Sequence, residues 1–236
     1  MIDNKRVIAL IPAKKKSHRI PNKNLKNFGK RPLVEHKILQ LKKSKIIDEI
    51  ILGTNSKKII DIAKKNKVSF FIREESYCGT LDTKDKNTAN DMIKNLASTT
   101  DDKSIIIWVH CTNPLIDHKI YDEALITFVK KDKLGFDSLA SVDLIKQHIF
   151  DKNFKAINYN PYAKRHKLAD EIDYYYSLNG GFFIQFSKNM KKNNYFFGKK
   201  PFMYVTPEIF SVDLNTPQDF SRAINIYNAL KKSKKS

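Results

Sequence analysis

Lys14, Lys15, Lys16, Arg19 and Lys23 stand within ten positions of one another, directly after the run Val7-Ile8-Ala9-Leu10-Ile11-Pro12. Cations at that density can neutralise a polyphosphate if the chain gathers them at one place. The preceding run offers a way to gather them. Val7 to Ile11 is apolar without polar alternation, which reads as a strand buried on both faces, as in a parallel sheet. Pro12 breaks it, and the cationic loop begins at its carboxyl end, where open α/β sheets bind ligands. A solvated loop in a lysine-rich protein is the other reading, and the loop alone does not separate the two.

The elements that would position such a loop follow in regular order. Pro32 to Leu41 has apolar residues at helical spacing, with Pro32 suited to the first turn. Asp48 to Asn55 is a second strand, and Ser56 is placed to cap a helix over Lys57 to Asn66. Val68 to Ile72 is a short strand closing at Arg73, and Tyr77 to Asn87 reads as a loop over the strand ends. A helix over Thr88 to Leu96 precedes the most apolar strand, Ser104 to His110. A helix over Lys119 to Lys131 and a strand over Ser138 to Val142 continue the series. This alternation predicts an α/β fold, Rossmann-like and doubly wound, with a mainly parallel sheet and right-handed crossovers. The series breaks at about 143–177, a polar, tyrosine-rich excursion containing Lys164-Arg165-His166-Lys167. It resumes with strands over Gly180 to Phe186 and Pro201 to Val205 and an amphipathic helix over Asp219 to Leu230. The expected organisation is one domain over 1–230 with an inserted lobe at about 143–177, then a frayed basic tail at 231–236.

Composition narrows the partners. The 236 residues are 41% hydrophobic and include ten tyrosines and fifteen phenylalanines, enough for a full core. Lys plus Arg number 44 against 25 Asp plus Glu, a net charge of +19, which favours anionic partners without choosing among them. Arginine stands only at positions 6, 19, 31, 73, 165 and 222, whereas readers of base edges favour its bidentate fork. Lysines spread from Lys5 to Lys235 therefore argue against a nucleic-acid footprint. Cys78 and Cys111 are too few for a disulfide framework or a zinc site. Without an apolar run of about 18 residues or a signal-peptide pattern, a soluble, cytoplasmic chain is expected, with no membrane partner.

Five motifs in order carry a resemblance. Ile-Pro-Ala-x-x-x-Ser-x-Arg-Ile-Pro-x-Lys-Asn from Ile11, then Arg73, Thr112-Asn113-Pro114-Leu115, Asn179-Gly180-Gly181, and Ser211-Val212-Asp213-Leu214-Asn215-Thr216 with Asp219 resemble the acylneuraminate cytidylyltransferases. These are the CMP-sialic acid synthetases and their relatives for legionaminic, pseudaminic and Kdo-type sugars. The likeness runs from Val7 to about Leu230. It implies that the anomeric hydroxyl of a 2-keto acid sugar attacks the α-phosphate of CTP, forming a CMP-sugar and releasing pyrophosphate. Catalysis of that kind is positioning plus neutralisation of phosphate charge.

The resemblance also implies roles. Ala13, Lys14, Ser17, Arg19, Lys23 and Asn24 fall on the nucleotide loop, with Lys23 near the α-phosphate and leaving group as a catalytic cation. Arg73 falls where a base- or ribose-contacting arginine is expected, and Asp82, Thr83 and Asn90 face the cytosine. Asp213 and Asn215 stand where relatives hold Mg²⁺ with two aspartates, Asp213 also counting as catalytic. Asp219 reads instead as the cap of the terminal helix. His110 and Thr112 end the central strand beside the sugar; His110 either contacts the sugar or satisfies a strand-end hydrogen bond. Lys146 and Arg165 in the excursion would reach the sugar carboxylate of a neighbouring subunit in a homodimer. Asn179, Phe183, Phe196 and Phe197 match the sugar pocket, with core packing the rival for the phenylalanines. Two departures stand out: Lys14, Lys15 and Lys16 replace an arginine and glycines, and Asn215 replaces an aspartate. Transfer to another sugar or a polyol, and a basic nucleic-acid-binding protein, are the alternative functions.

Overall fold

The computed structural model describes residues 1–17, 19–78 and 89–233. A seven-stranded sheet organises them. Its strands are β1 (Val7–Pro12), β4 (Glu49–Thr54), β5 (Ser69–Ile72), β6 (Ile105–Val109), β7 (Ser138–Ile145), β8 (Tyr175–Phe186) and β9 (Pro201–Val205), in the order β5-β4-β1-β6-β8-β7-β9. Two-residue strands β2 (Asn27–Phe28) and β3 (Arg31–Pro32) form a separate small hairpin. Every main-sheet strand but β8 runs the same way; β8 is antiparallel to both β6 and β7. The reversal has a simple cause. No helix separates β7 from β8, and without a crossover the chain can pair with itself only antiparallel.

The missing alternation in β1 is explained by its neighbours. Val7, Ala9 and Ile11 point into one core with Ile105, Ile107 and Val109, while Ile8 and Leu10 point into a second with Ile106 and Trp108. Helices α1 (Leu33–Leu41), α2 (Lys57–Lys65), α4 (His118–Asp132) and α6 (Pro217–Ser233) cover the first face. Helices α3 (Ala89–Ala97) and α5 (Ser187–Asn193) cover the second. Helix α5 has no amphipathic signature in sequence because it is two turns long and buries only Ser187 and Met190. The expected tail is also shorter, since α6 remains helical through Ser233. Ser56 precedes α2 as expected, yet its side chain makes no capping hydrogen bond; only its carbonyl opens the helix.

Beyond the strand ends, β7 and β8 continue as a two-stranded ribbon, with Val142 opposite Leu178 and Ile145 opposite Tyr175. The pairing slips where Asn179 to Phe182 bulge out opposite Ser141. Bulges of this kind bend a strand and re-aim its side chains. Here the bulge lies at the same edge as the carboxyl ends of β1, β4 and β6. Loops after those strands, the bulge, and the 206–216 segment after β9 together line one crevice.

Candidate active site

The cationic loop closes on itself before it presents any charge. Ala13 N–H donates to Gly53 O at 2.8 Å, Lys15 N–H to Asn55 Oδ1 at 2.7 Å, and Asn24 Nδ2 to Lys14 O at 3.0 Å. The loop is thus fastened to the end of β4 at its start and to its own far end. Ser17 is half-buried, and Arg19 is exposed. Lys23 is buried, and its Nζ donates to Leu214 O at 2.6 Å. An ammonium has three donors, so two remain to face the crevice. Burial holds Lys23 below its ordinary range; Asp213 opposes that, and Arg19 and Lys14 reinforce it. Lys14 is likewise lowered by burial, with Arg73 and Arg19 adding repulsion.

Arg73 follows β5 and is buried at 4% exposure, its backbone N–H bonded to Thr54 O. One guanidinium nitrogen donates to Tyr77 O, while its Nε is buried without a partner among the described residues. Burial lowers Arg73 as well. Lys14 thus feels Arg73 and Arg19, and Lys23 feels Arg19 and Lys14, with Lys14, Lys23 and Arg73 partly or wholly buried and Arg19 at the surface beside them. Asp82 and Thr83 lie outside the described residues. Asn90 is exposed on α3, where its amide donates to Asn194 O at 2.8 Å. That bond ties α3 to the end of α5, and no contact of Asn90 reaches the cation group.

The 206–219 segment brings the carboxylate. Leu214 N–H donates to Thr112 O at 2.8 Å, which pins the segment beside the end of β6. Asn215 Nδ2 donates to Asp213 Oδ2 at 2.7 Å, so the two side chains form a pair. Asp219 is not itself the N-cap. Thr216 occupies that position, and Asp219 bonds back to the N–H groups of Asn215 and Thr216 while its own N–H reaches Thr216 Oγ1. This is a reciprocal capping box with Pro217 at the first helical position. It fixes the turn that presents Asp213.

The other half of the crevice is built around β6 and the bulge. His110 has no free ring nitrogen: Trp108 Nε1 donates to its Nε2 at 3.0 Å, and its Nδ1 donates to Gly180 O at 2.7 Å. Burial keeps it below its ordinary pKa and so neutral. Both ring nitrogens thus serve strand-end hydrogen bonds, the second of the two readings the sequence left open. Asn179 is also fully engaged. Its Nδ2 donates to Asp143 Oδ1 and Thr206 Oγ1, and its Oδ1 accepts from Ser141 Oγ and Gly181 N–H. It joins β7, β8 and the end of β9 and offers a ligand no unused polar atom. Gly180 sits at φ +66°, and a Cβ on Gly181 would lie 2.5 Å from Ile116 Cδ1. The Asn-Gly-Gly motif is therefore the bulge itself. Phe183 stacks on Phe196 at 4.7 Å and lies in the second core, against which Phe196 and Phe197 are partly buried. Phe183 thus packs in the core. Thr112 is half-buried at the crevice floor.

A model of the family described as Cytidylyltransferase matches residues 8–229. The chain belongs to the cytidylyltransferase family. It is 26% identical over 225 residues to the N-acylneuraminate cytidylyltransferase of Streptococcus agalactiae serotype III, covering 92% of this chain and 52% of that protein. It thus spans about half the length of that relative. It is 25% identical over 222 residues to the pseudaminic acid cytidylyltransferase of Campylobacter jejuni subsp. jejuni serotype O:23/36, covering 93% of this chain and 95% of that one. Its fold is similar to that of CMP:2-keto-3-deoxy-manno-octonic acid synthetase solved with CTP, with TM-score 0.66 over 95% of this chain and 99% of that one at 11% identity.

In this chain the ribbon stands apart from the crevice's tight network. Lys146 is exposed at its far end, and Arg165 pairs with Glu171 at 2.7 Å on the surface. Among the described residues neither makes a contact that reaches the strand-end crevice. One residue that pattern reading passed over is Lys37. It occupies the apolar stripe Val34, Lys37, Ile38, Leu41 of α1 and is fully buried. A charge inside such a stripe was the available signal. No helix among the described residues is long and apolar enough to cross a membrane.

Proposed function

We propose that this cytidylyltransferase transfers CMP from CTP to the anomeric hydroxyl of a 2-keto acid sugar of the sialic-acid-like class. The observation that carries this reading is the group Lys14, Lys23 and Arg73, each lowered by burial, with Arg19 repelling both lysines and Arg73 repelling Lys14, and with Asp213 a carboxylate acting on Lys23. Such a group gains most from a polyanion. The printed names of the relatives supply the nucleotide and the acid-sugar acceptor by analogy.

In this reading the triphosphate lies along the 13–24 loop, with Lys14, Ser17 and Arg19 on its outer phosphates. Arg73 turns its unpartnered Nε toward the nucleoside. Lys23 directs its two remaining N–H groups at the α-phosphate, where charge develops as the sugar oxygen bonds to phosphorus and the bond to pyrophosphate breaks. Charge neutralisation of that kind is worth most in a water-poor site. His110 has no nitrogen free to act as base, so the hydroxyl proton passes to water. Thr112 borders the sugar, and Phe196 and Phe197 supply its apolar wall.

Asp213 and Asn215 fit a hard divalent cation such as Mg²⁺, since both offer oxygen. No group of three or more His, Cys, Asp or Glu side chains that could hold a metal occurs among the described residues. Phosphate oxygens would complete the coordination, and the cation would neutralise phosphate charge when bound. The ribbon, with Tyr162 93% and Phe154 88% exposed, suits a homodimer in which Lys146 and Arg165 reach the partner's sugar site. Two free, buried cysteines suit a reducing compartment such as the cytoplasm.

The test is pyrophosphate release with Mg²⁺, each of the four nucleoside triphosphates, and a panel of 2-keto acid sugars. Release is expected with CTP and at least one acid sugar. Release only with a polyol or neutral sugar would move the acceptor class. Indifference to CTP with salt-dependent nucleic-acid binding would overturn the reading.

A further inference from the structure

Helix α1 grips the floor of the crevice from below. Lys37 Nζ donates to Asn113 O at 2.9 Å, to Ile116 O at 2.9 Å and to Tyr121 Oη at 2.7 Å. On the same helix, His36 Nε2 and Gln40 Nε2 both donate to Pro114 O, at 3.0 and 2.8 Å. The carbonyls of this irregular turn after β6 are thus held by side chains instead of a ladder. Two ties leave the turn above Lys37. Thr112 O accepts from Leu214 N–H, and Leu214 O accepts from Lys23. Asn113 Nδ2 donates to Asn179 O at 3.0 Å, and Asn179 holds the base of the ribbon. Lys37 sits beneath the point where the nucleotide half and the sugar half of the crevice are joined.

We infer that Lys37 is a positioning residue that fixes the separation between Lys23 and the sugar side of the crevice by fastening the 113–116 turn; this rests on the reaction proposed above. Its hydrogen-bond arithmetic makes it an unusual fastener. An ammonium has three N–H donors, and the node provides three oxygens. A neutral amine has two donors and a lone pair, and the Tyr121 hydroxyl can then donate where it had accepted. In both protonation states Lys37 can use every donor it has. This matters because burial draws Lys37 down to about 7. Among the titratable groups around it, His110 at the end of β6 is lowered by burial. Cys111 at the end of β6 is pushed up to about 12, Tyr121 on α4 lies well above its usual value, and His36 on α1 is drawn down to about 4. Asp117 at the N-cap of α4 supplies a carboxylate that favours the ammonium.

Two substitutions test this. Lys37→Met keeps the volume and removes the three bonds. It is expected to lower kcat by ~10- to 10²-fold, the scale of a misplaced reacting group, with KM for CTP nearly unchanged. In residue-resolved hydrogen exchange, Leu214 N–H should lose protection while Ile8 and Ile106, in paired strands, keep theirs. Tyr121→Phe leaves both carbonyl bonds but gives the ammonium one donor without an acceptor. Its kcat should match the wild type above the pKa of Lys37 and fall below it, where the wild type stays level. A uniform loss of protection in Lys37→Met, or kcat unchanged per folded molecule, would overturn the inference. So would a Tyr121→Phe profile that parallels the wild type. The exchange arm needs no turnover, so it decides the role of Lys37 even if the wild type transfers CMP to none of the sugars.

Discussion

The crevice and the ribbon solve opposite problems. At the crevice, polar groups are buried and cross-tied. Lys23, Asn113, Asn179 and Lys37 each bond to a segment distant in sequence, and burial lowers the pKa of Lys14, Lys23 and Arg73. On the ribbon, apolar groups are exposed and locally tied. Tyr162, Phe154 and Leu168 face solvent, while His148, Asn158 and Arg165 bond within the same excursion. Partly buried cations that repel one another favour an anionic ligand, whereas exposed aromatic surface suits another protein surface. In the function proposed above, the first region receives the substrate and the second a partner subunit. The predictions below separate the two.

The largest effect belongs to Lys23. Lys23→Ala is expected to lower kcat by ~10²–10³-fold, because the buried ammonium acts on charge developing at the α-phosphate. Steady-state kinetics beside a melting curve check it. Near-normal kcat with unchanged melting would remove Lys23 from the reaction and leave the crevice with only a binding role.

Next is the ribbon. Tyr162→Asp with Leu168→Asp should weaken the dimer by at least ~2 kcal/mol, the size of an interface hot spot. Light scattering should then find monomer at concentrations where the parent is dimeric. A parent that is already monomeric would dissolve the comparison, since the exposed residues would have another purpose. The exposed Arg165–Glu171 pair should matter little to either state.

The regions should also differ in their response to pH. The folded pKa of Lys37, about 7, lies below its ordinary 10.5, so above pH 7 the unfolded chain binds the extra proton. Stability of the ligand-free protein should therefore rise with pH, by about 1–2 kcal/mol between pH 7 and 8.5. His36, at about 4 against an ordinary 6.5, gives a second rise between those values with the same sign. Denaturant melts of Lys37→Met should lose the upper rise and keep the lower. Substitutions in the ribbon should alter neither.

Asn215→Asp carries the smallest effect. Two carboxylates would then meet where Asn215 Nδ2 now donates to Asp213 at 2.7 Å. The metal-free protein should be slightly less stable, and the Mg²⁺ concentration for half-maximal rate should fall roughly threefold to tenfold as a hard cation gains a charged ligand. Superimposed Mg²⁺ titrations would show that Asn215 is not a ligand.

The sheet was legible because its signals are local. The unbroken apolar character of Val7 to Ile11 reports burial on both faces, and the two cores confirm it. The reversal of β8 was not legible, since Gly180 to Phe186 reads the same in either direction. Only the lack of a helix between β7 and β8 marks it. At the site, residue types and order pointed to the cation loop and Asp213, which the structure brings to the same strand edge through the Lys23–Leu214 bond. They did not reveal which polar side chains are already engaged. His110 and Asn179 look available in sequence, but Trp108, Gly180, Ser141 and Thr206 hold them. Lys37 was hidden for the converse reason: one lysine among so many draws no notice until its position in the stripe of α1 is weighed.

The central claim is that this crevice joins the α-phosphorus of CTP to an acid sugar. Its most direct measurement follows CTP carrying a label at the α-phosphorus, incubated with Mg²⁺ and a panel of 2-keto acid sugars, with products separated by mass. The account predicts labelled CMP-sugar and unlabelled pyrophosphate in equal amounts, dependent on Lys23. Label that stays in CTP with every acid sugar, from a folded protein, would contradict it.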